Sequence, residues 1–425
     1  MTSKLKDEVR RNVLDSNTAG LAIEAEYEPL GGSSTPIAPA SYAPVKGSSA
    51  DDKSPTFAVS ENAFMPVKTT GGWYSGIERK DGEPRFVSRV AIDSVGSQSG
   101  RAETALWESQ EDLGISFPGL IITGEASDSK ESSFLQKQID DALSITVTSW
   151  TASHRQADAW ARFAVDEDSK QVWQNDAEGS VKSIITTTSA DTGEKLYEYF
   201  PNSAIYGFWL SSGTAMRHRL PRAYSSEIVG YGAIPVKTGS TKLDVAGGAS
   251  EKSRLTFGKD GALAARSTAK DKPSVHGFGS VPSSPMITGY VCELILQQSS
   301  VSLSVLRSLK FEDSDVKTAA LTVLTLLAMA GHALANTDGF LRSGCALVQI
   351  NRQWGWVRHG QVEPEKLEVT DTEQIIEALR EAIEDAAKLG LEFAPPINLK
   401  FSPAQRTLIE DRVRTEMSKQ GQDNE

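Results

Sequence analysis

Cysteine is scarce in this chain, with two residues, Cys292 and Cys345, among 425. Two cysteines cannot build the disulfide framework that stabilises many secreted proteins, so the composition is typical of a reducing cytoplasm. Both lie in apolar, strand-like runs, where a small buried side chain is expected. We therefore predict a cytoplasmic location.

A segment that would direct the chain to a membrane is also lacking. The first residues, MTSKLKDEVRRNVLD, are charged and contain no apolar signal-peptide core, so we expect no signal peptide. The most apolar run, AALTVLTLLAMAGHALA (319–335), contains Thr, Gly and His. It falls short of the roughly 20 apolar residues that span a bilayer, which predicts a buried core helix.

The familiar catalytic motifs are missing. The sequence contains no Walker A, GxGxxG, GxSxG, HExxH, CxxC or EF-hand pattern. Its five histidines are scattered, without the spacing of metal ligands. The motifs therefore single out no metal ligand, no cofactor site and no catalytic group, although the acids and bases of a hydrolase can come from distant positions.

Positive charge is in the minority, because the net charge is -12. This balance argues against indiscriminate binding of nucleic acid over the whole surface. It leaves room for a local basic groove, since binding depends on where the charge lies.

The hydrophobic pattern predicts an α+β fold with large insertions. Strand-like runs occupy 20–30, 85–92, 204–210, 227–236 and 344–350, and a helix is expected over 316–335. Polar stretches at 31–56, 166–195 and 239–273 interrupt any regular βαβ rhythm and are expected to be loops or excursions. The length corresponds to roughly two or three domain-sized units.

One candidate anion site is the turn GSQSGRAE (96–103), which supplies Ser97, Gln98 and Arg101 as a helix begins. Backbone amides and the helix dipole at such a junction suit a phosphate. An ordinary helix cap is the alternative interpretation.

Two further segments combine flexibility or aromatic residues with positive charge. His154 and Arg155 lie between Trp150 and Trp160, an arrangement that can stack bases and bind phosphates. A packed tryptophan pair with an arginine stem beside it is equally compatible. His276 begins the glycine-rich HGFGS, which is otherwise an ordinary turn.

The strongest signal is SAIYGFWLSSGTAMRHRLPRAYSSEIVGY (203–231). Between residues 201 and 240 four basic residues face one acidic residue, and His218 lies among them. Arginine forks bind phosphate, and Tyr206 or Trp209 offers a ring for a base. Pairing of these arginines with carboxylates elsewhere in the chain is the alternative.

This block resembles the signature of CRISPR backbone subunits of type I-G (formerly I-U), the Cas-seven-type RAMP proteins. The family tends to carry an IYG-W-S-G strand and turn, a basic segment and SEIVGY. Four other blocks agree with family blocks in the same order: GSQSGRAE, TASHRQADAW, HGFGSVPSSP and NTDGFLRSGCALV.

The resemblance implies a modified RRM-like (ferredoxin-like) palm over residues 1–350. Residues 31–56 and 239–273 would be loop, finger or thumb excursions, and residues 351–425 a helical C-terminal extension. Such subunits of prokaryotes polymerise head to tail along the crRNA spacer and support recognition of the target DNA strand. Their other partners are the large subunit and the crRNA-processing subunit of the effector complex.

The resemblance carries the family's contacts to the RNA backbone onto Ser97, Gln98, Arg101, His154, Arg155, Arg217, His218, Arg219 and Arg222, with His276 as a candidate for a thumb-side or neighbour contact. The rings of Tyr206 and Trp209 complete the predicted RNA-binding residues. The resemblance implies no catalysis, because target cutting in type I systems belongs to a separate helicase-nuclease.

The alternative hypothesis is a metal-dependent endoribonuclease on a related RAMP core that cuts target RNA, with Asp93 or Asp158 as the reactive carboxylate. A soluble enzyme of unknown class is the third.

Overall fold

The computed structural model of the protein describes residues 4–42, 56–125, 134–210, 218–239 and 286–422, and the backbone of two short strands, Leu255–Phe257 and Leu263–Ala265. Six elements form the central part of the fold and follow one another along the chain in the order βαββαβ, with other elements between them. They are β1 (Thr18–Pro29), α1 (Val95–Glu108), β2 (Tyr224–Tyr231), β3 (Leu294–Ser302), α2 (Ser314–Ala335) and β4 (Cys345–Arg358).

The four strands form an antiparallel sheet in the spatial order β4-β1-β3-β2. Strands Phe86–Asp93 and Val59–Phe64 continue the sheet beyond β2, and Phe340–Arg342 and Glu365–Leu367 pair with β4. This strand order with two crossover helices is the ferredoxin-like, or RRM-like, arrangement. The predicted α+β fold with an RRM-like palm is confirmed.

The main core lies between the sheet and the helices. Alternation along β1 turns Leu21 and Ile23 toward the helices, where both are buried. Helix α2 packs against α1 and against Thr372–Lys388. Among the described helices α2 alone is long and apolar enough to cross a membrane, and most of it is buried inside the fold. It is therefore the predicted core helix.

The remaining described elements surround this palm. The other helices of four or more residues are Lys4–Leu14, Gln110–Leu113, Phe134–Leu143, Ala159–Phe163, Val181–Thr187, Gly193–Tyr199, Pro201–Tyr206, Leu303–Arg307, Thr372–Lys388 and Pro403–Gln422. Smaller strand pairs include Phe208–Leu210 with His218–Leu220 and Ile234–Thr238 with Met286–Val291. Leu120–Thr123 pairs with both Thr146–Thr148 and Ile397–Lys400.

Two expectations about local structure are wrong. Residues 166–195 are not a continuous loop, because Ser180 caps a helix over Val181–Thr187 and a second helix begins at Gly193. Residues 204–210 are not one strand either. Pro201 starts a short helix, which ends at Gly207 with φ of 75°, and a strand follows.

The predicted domain boundary at 350 falls inside β4, which runs from Cys345 to Arg358. The helix Thr372–Lys388 beyond it packs on α2, so this part of the extension covers the palm. Residues 43–55 of the predicted excursion at 31–56 and most of the one at 239–273 lie outside the described residues, as do Arg217 and His276.

Candidate nucleic-acid interface

The predicted basic segment forms one strand of a short antiparallel hairpin. Phe208–Leu210 pairs with His218–Leu220, and Trp209 lies opposite Arg219. Alternation buries Phe208, Leu210 and Leu220. Trp209 is left 64% exposed, beside the exposed Arg219.

This hairpin forms one wall of a cleft of about 250 Å³. The cleft brings together two segments that the sequence analysis had proposed separately. Its lining is Ser153, His154, Arg155, Tyr206, Gly207, Phe208, Trp209, Arg219, Leu220, Pro221 and Arg222.

The cations at the mouth of the cleft are exposed. No described carboxylate lies within 4.0 Å of Arg219 or Arg222, so neither forms an ion pair within the described part of the chain. His154 is exposed as well. Its backbone N–H donates to Asp158 at 3.3 Å and its carbonyl accepts the Ala157 N–H at 3.0 Å, while its imidazole makes no hydrogen bond to the described residues. The indole of Trp209, the guanidinium groups of the two arginines and the imidazole of His154 thus line the same cleft.

Arg155 differs from these residues because all of its guanidinium nitrogens have partners. Nε and Nη2 donate to the two carboxylate oxygens of Glu103 at 2.7 and 2.6 Å, and Nη1 donates to the carbonyl of Gly207 at 2.8 Å. The side chains of Arg155 and Glu103 are 13% and 4% exposed. Burial raises the pKa of Glu103, and the Arg155 charge opposes that shift.

Tyr206 lines the cleft but is 3% exposed, with its ring edge-on to Tyr224. The sequence predicts that this ring stacks on a base. Because the ring is buried, it is not available for such stacking. His218 is half-buried, and its Nε2 has no hydrogen-bond partner among the described residues.

The predicted turn at 96–103 is helical, because α1 begins at Val95, and none of its residues lines the cleft. Ser94 caps the helix by accepting the backbone N–H of Ser97, which is the alternative that the sequence left open. Gln98 is 1% exposed and donates to Asp93 at 2.6 Å, so it offers no surface to a ligand.

Arg101 belongs to a charged network around the fully buried Asp93. Its Nε donates to one carboxylate oxygen at 3.2 Å, and Arg342 donates to the other at 2.6 Å. Sequence reasoning did not identify Glu103 as the partner of Arg155 or Arg342 as a partner of Asp93. Arg342 lies within NTDGFLRSGCALV, and that resemblance was the one signal for it.

The two carboxylates proposed for a ribonuclease already have structural roles. Asp93 is enclosed by Gln98 and two arginines, while Asp158 caps the helix Ala159–Phe163 by accepting the Trp160 N–H at 3.0 Å. Among the described residues, no three His, Cys, Asp or Glu side chains are placed to hold a metal ion.

The family of proteins described as CRISPR-associated protein GSU0053 matches residues 21–235, just over half of the chain. This stretch contains β1, α1, the cleft and β2. The chain therefore belongs to this CRISPR-associated family, which confirms the predicted CRISPR association. A Cas-seven-type subunit is consistent with this match. No curated protein matches the chain.

Proposed function

We propose that the protein is a non-catalytic crRNA-binding backbone subunit of a type I-G, Cascade-type effector complex. The observation that carries the proposal is the cleft, where the exposed Trp209, Arg219, Arg222 and His154 meet without a described acidic partner. In a chain of net charge -12 this local excess of positive charge suits a phosphodiester backbone, and the indole suits a base.

The direct test is the double variant Arg217→Ala/Arg219→Ala. We expect it to fold normally, bind single-stranded RNA more weakly and show a shallower dependence of log K on log salt concentration. Each lost phosphate contact reduces the slope by about 0.7. Fluorescence anisotropy over a series of salt concentrations measures both quantities.

The matched control is Arg412→Ala/Arg414→Ala, which removes two exposed arginines from the C-terminal helix. It should leave affinity and slope unchanged. Equal behaviour of the two double variants would contradict the proposal. A raised 260/280 nm absorbance ratio after co-expression with a CRISPR array would support it independently.

The alternative hypothesis is a metal-dependent endoribonuclease on a related RAMP core. Incubating the RNA-loaded protein with matched target RNA and Mg²⁺ separates the two hypotheses. Regular cleavage that a folded Asp158→Ala protein lacks would replace the structural role with a catalytic one.

The proposal includes assembly of copies along the crRNA, with the guide bases left free to pair with target DNA. Both edges of the sheet expose apolar side chains. Phe64 and Phe86 lie 5.0 Å apart between ring centroids at one edge and are 48% and 56% exposed. Phe340 and Ile350 are 57% and 52% exposed at the other. Two different patches suit head-to-tail contact between copies.

A further inference from the structure

Beneath the exposed cations of the cleft lies the buried ion pair of Arg155 and Glu103. Glu103 projects from α1, whereas Arg155 follows the exposed His154 in the loop on the opposite wall. Asn202 also donates to Glu103, at 2.9 Å, and to the carbonyl of Ser149. The carboxylate therefore joins three segments of the chain.

The guanidinium of Arg155 extends this connection to the basic hairpin. Its third hydrogen bond goes to the carbonyl of Gly207, the residue immediately before the strand Phe208–Leu210. Gly207 has φ of 75°, and a Cβ there would lie 2.7 Å from the Leu220 carbonyl and 2.9 Å from the Arg222 amide. The arginine thus holds the backbone just before the strand Phe208–Leu210, where it lies against residues 220–222.

The backbone at Arg155 is itself unusual. Its φ of 52° lies in the left-handed region, which residues other than glycine seldom adopt. Such a conformation persists where surrounding contacts fix it, and here the contacts are those to Glu103 and Gly207. The same backbone turn places His154 at the mouth of the cleft.

We infer that Arg155 and Glu103 form a positioning pair, which sets the distance between His154 and the Trp209–Arg219 hairpin, and that Arg155 does not contact the RNA. A phosphate on Arg155 would have to displace a buried carboxylate and leave it without its counter-charge, which is costly. The inference rests on the proposed function for its RNA, and it revises the role that the sequence predicts for Arg155.

The experiment compares Glu103→Gln, Arg155→Gln and Arg219→Ala in the full-length protein. Glu103→Gln is nearly isosteric, and its side chain is too deeply buried to touch RNA, so it alters the bonds from Arg155 and Asn202 without removing an RNA contact. We expect both pair variants to bind single-stranded RNA roughly tenfold more weakly with an unchanged salt slope. Arg219→Ala should reduce both affinity and slope.

Hydrogen exchange supplies a readout that needs no RNA. In both pair variants the amides of 207–210, 218–220 and Arg222 should exchange faster, while those of β3 (Leu294–Ser302) keep their protection. The double variant Glu103→Gln/Arg155→Gln should bind RNA no more weakly than either single variant, because the two substitutions remove the same interaction.

The outcomes separate the two proposals. A shallower salt slope for Arg155→Gln, matching that of Arg219→Ala, would show direct contact and overturn the inference. Unchanged exchange in the hairpin would overturn it as well. If the native protein binds no RNA, the proposed function falls, and the exchange data alone decide whether the pair positions the hairpin.

Discussion

Trp209 is unusual at the scale of a single residue, because a hairpin strand that buries Phe208 and Leu210 leaves its largest side chain 64% exposed. An indole exposed to water adds nothing to the stability of the fold. A stacked nucleobase would cover it, and the adjacent Arg219 would reach the attached phosphate.

Trp209→Ala should therefore cost about 1–3 kcal/mol of RNA-binding free energy, the usual value for one stacked base. The melting temperature should stay unchanged, since the side chain is mostly in water. Anisotropy titration and thermal melting measure the two effects. Leu408→Ala, which shortens another apolar side chain, 65% exposed on the C-terminal helix, is the control. Equal RNA affinity of the two variants would remove Trp209 from the site.

His332 is the opposite case, a titratable residue buried in α2. Tyr224 hydrogen-bonds its Nδ1 at 2.9 Å, and burial lowers the pKa of His332 to about 3. In the unfolded chain His332 becomes protonated near pH 6.5, whereas in the folded protein it becomes protonated only near pH 3. Its contribution to stability is therefore complete above pH 6.5 and decreases as the pH falls.

His332→Gln should make the unfolding free energy less dependent on pH between 6.5 and 5, by about 1.4 kcal/mol per pH unit at most. Urea unfolding at several pH values measures this slope. His359→Gln alters an exposed histidine and should follow the native protein. If His332→Gln keeps the native slope, the histidine titrates similarly in both states.

At the scale of elements, the Asp93 network joins three pieces of the chain. Asp93 ends the strand Phe86–Asp93, Arg101 lies on α1 and Arg342 lies on the strand Phe340–Arg342. Arg342 also donates to the carbonyl of Ile92 at 2.7 Å. One buried carboxylate thus fixes the start of α1 against a strand more than two hundred residues away.

Asp93→Asn should lower the unfolding free energy by about 3 kcal/mol, the lower end for a broken buried pair, because both arginines retain access to water. The midpoint of urea unfolding measures the loss. The control is Asp168→Asn, which changes a carboxylate that is 79% exposed and should cost less than about 0.5 kcal/mol. Equal midpoints for the two variants would contradict a structural role for Asp93.

The sequence anticipated those elements whose side-chain pattern is locally complete. β1 alternates and α2 is nearly all apolar, so both were placed within two residues of their observed bounds. The helix Val181–Thr187 was missed because it buries little beyond Ile185. Arg155 and Arg219 both occur in basic motifs, and the sequence around them does not distinguish their roles. The partner that separates them, Glu103, lies 52 residues from Arg155 in sequence.

At the scale of the whole molecule, the two sheet edges differ in what they expose. One edge presents Phe64 and Phe86, and the other Phe340 and Ile350. A contact between unlike patches leaves one patch free at each end unless the rotation closes a ring, so it can propagate from copy to copy along an RNA. A contact between identical patches would stop at a dimer.

This difference can be tested by mixing two defective proteins. Phe64→Asp should damage one patch and Ile350→Asp the other, so neither protein alone should assemble on RNA beyond single copies. Each retains the patch that the other lacks. If the contact is head to tail, an equimolar mixture should therefore form one intact interface and yield dimers, with no longer species. Analytical ultracentrifugation on a long single-stranded RNA measures the sizes. Assembly of either variant alone to the native length would show that its patch is not the contact between copies.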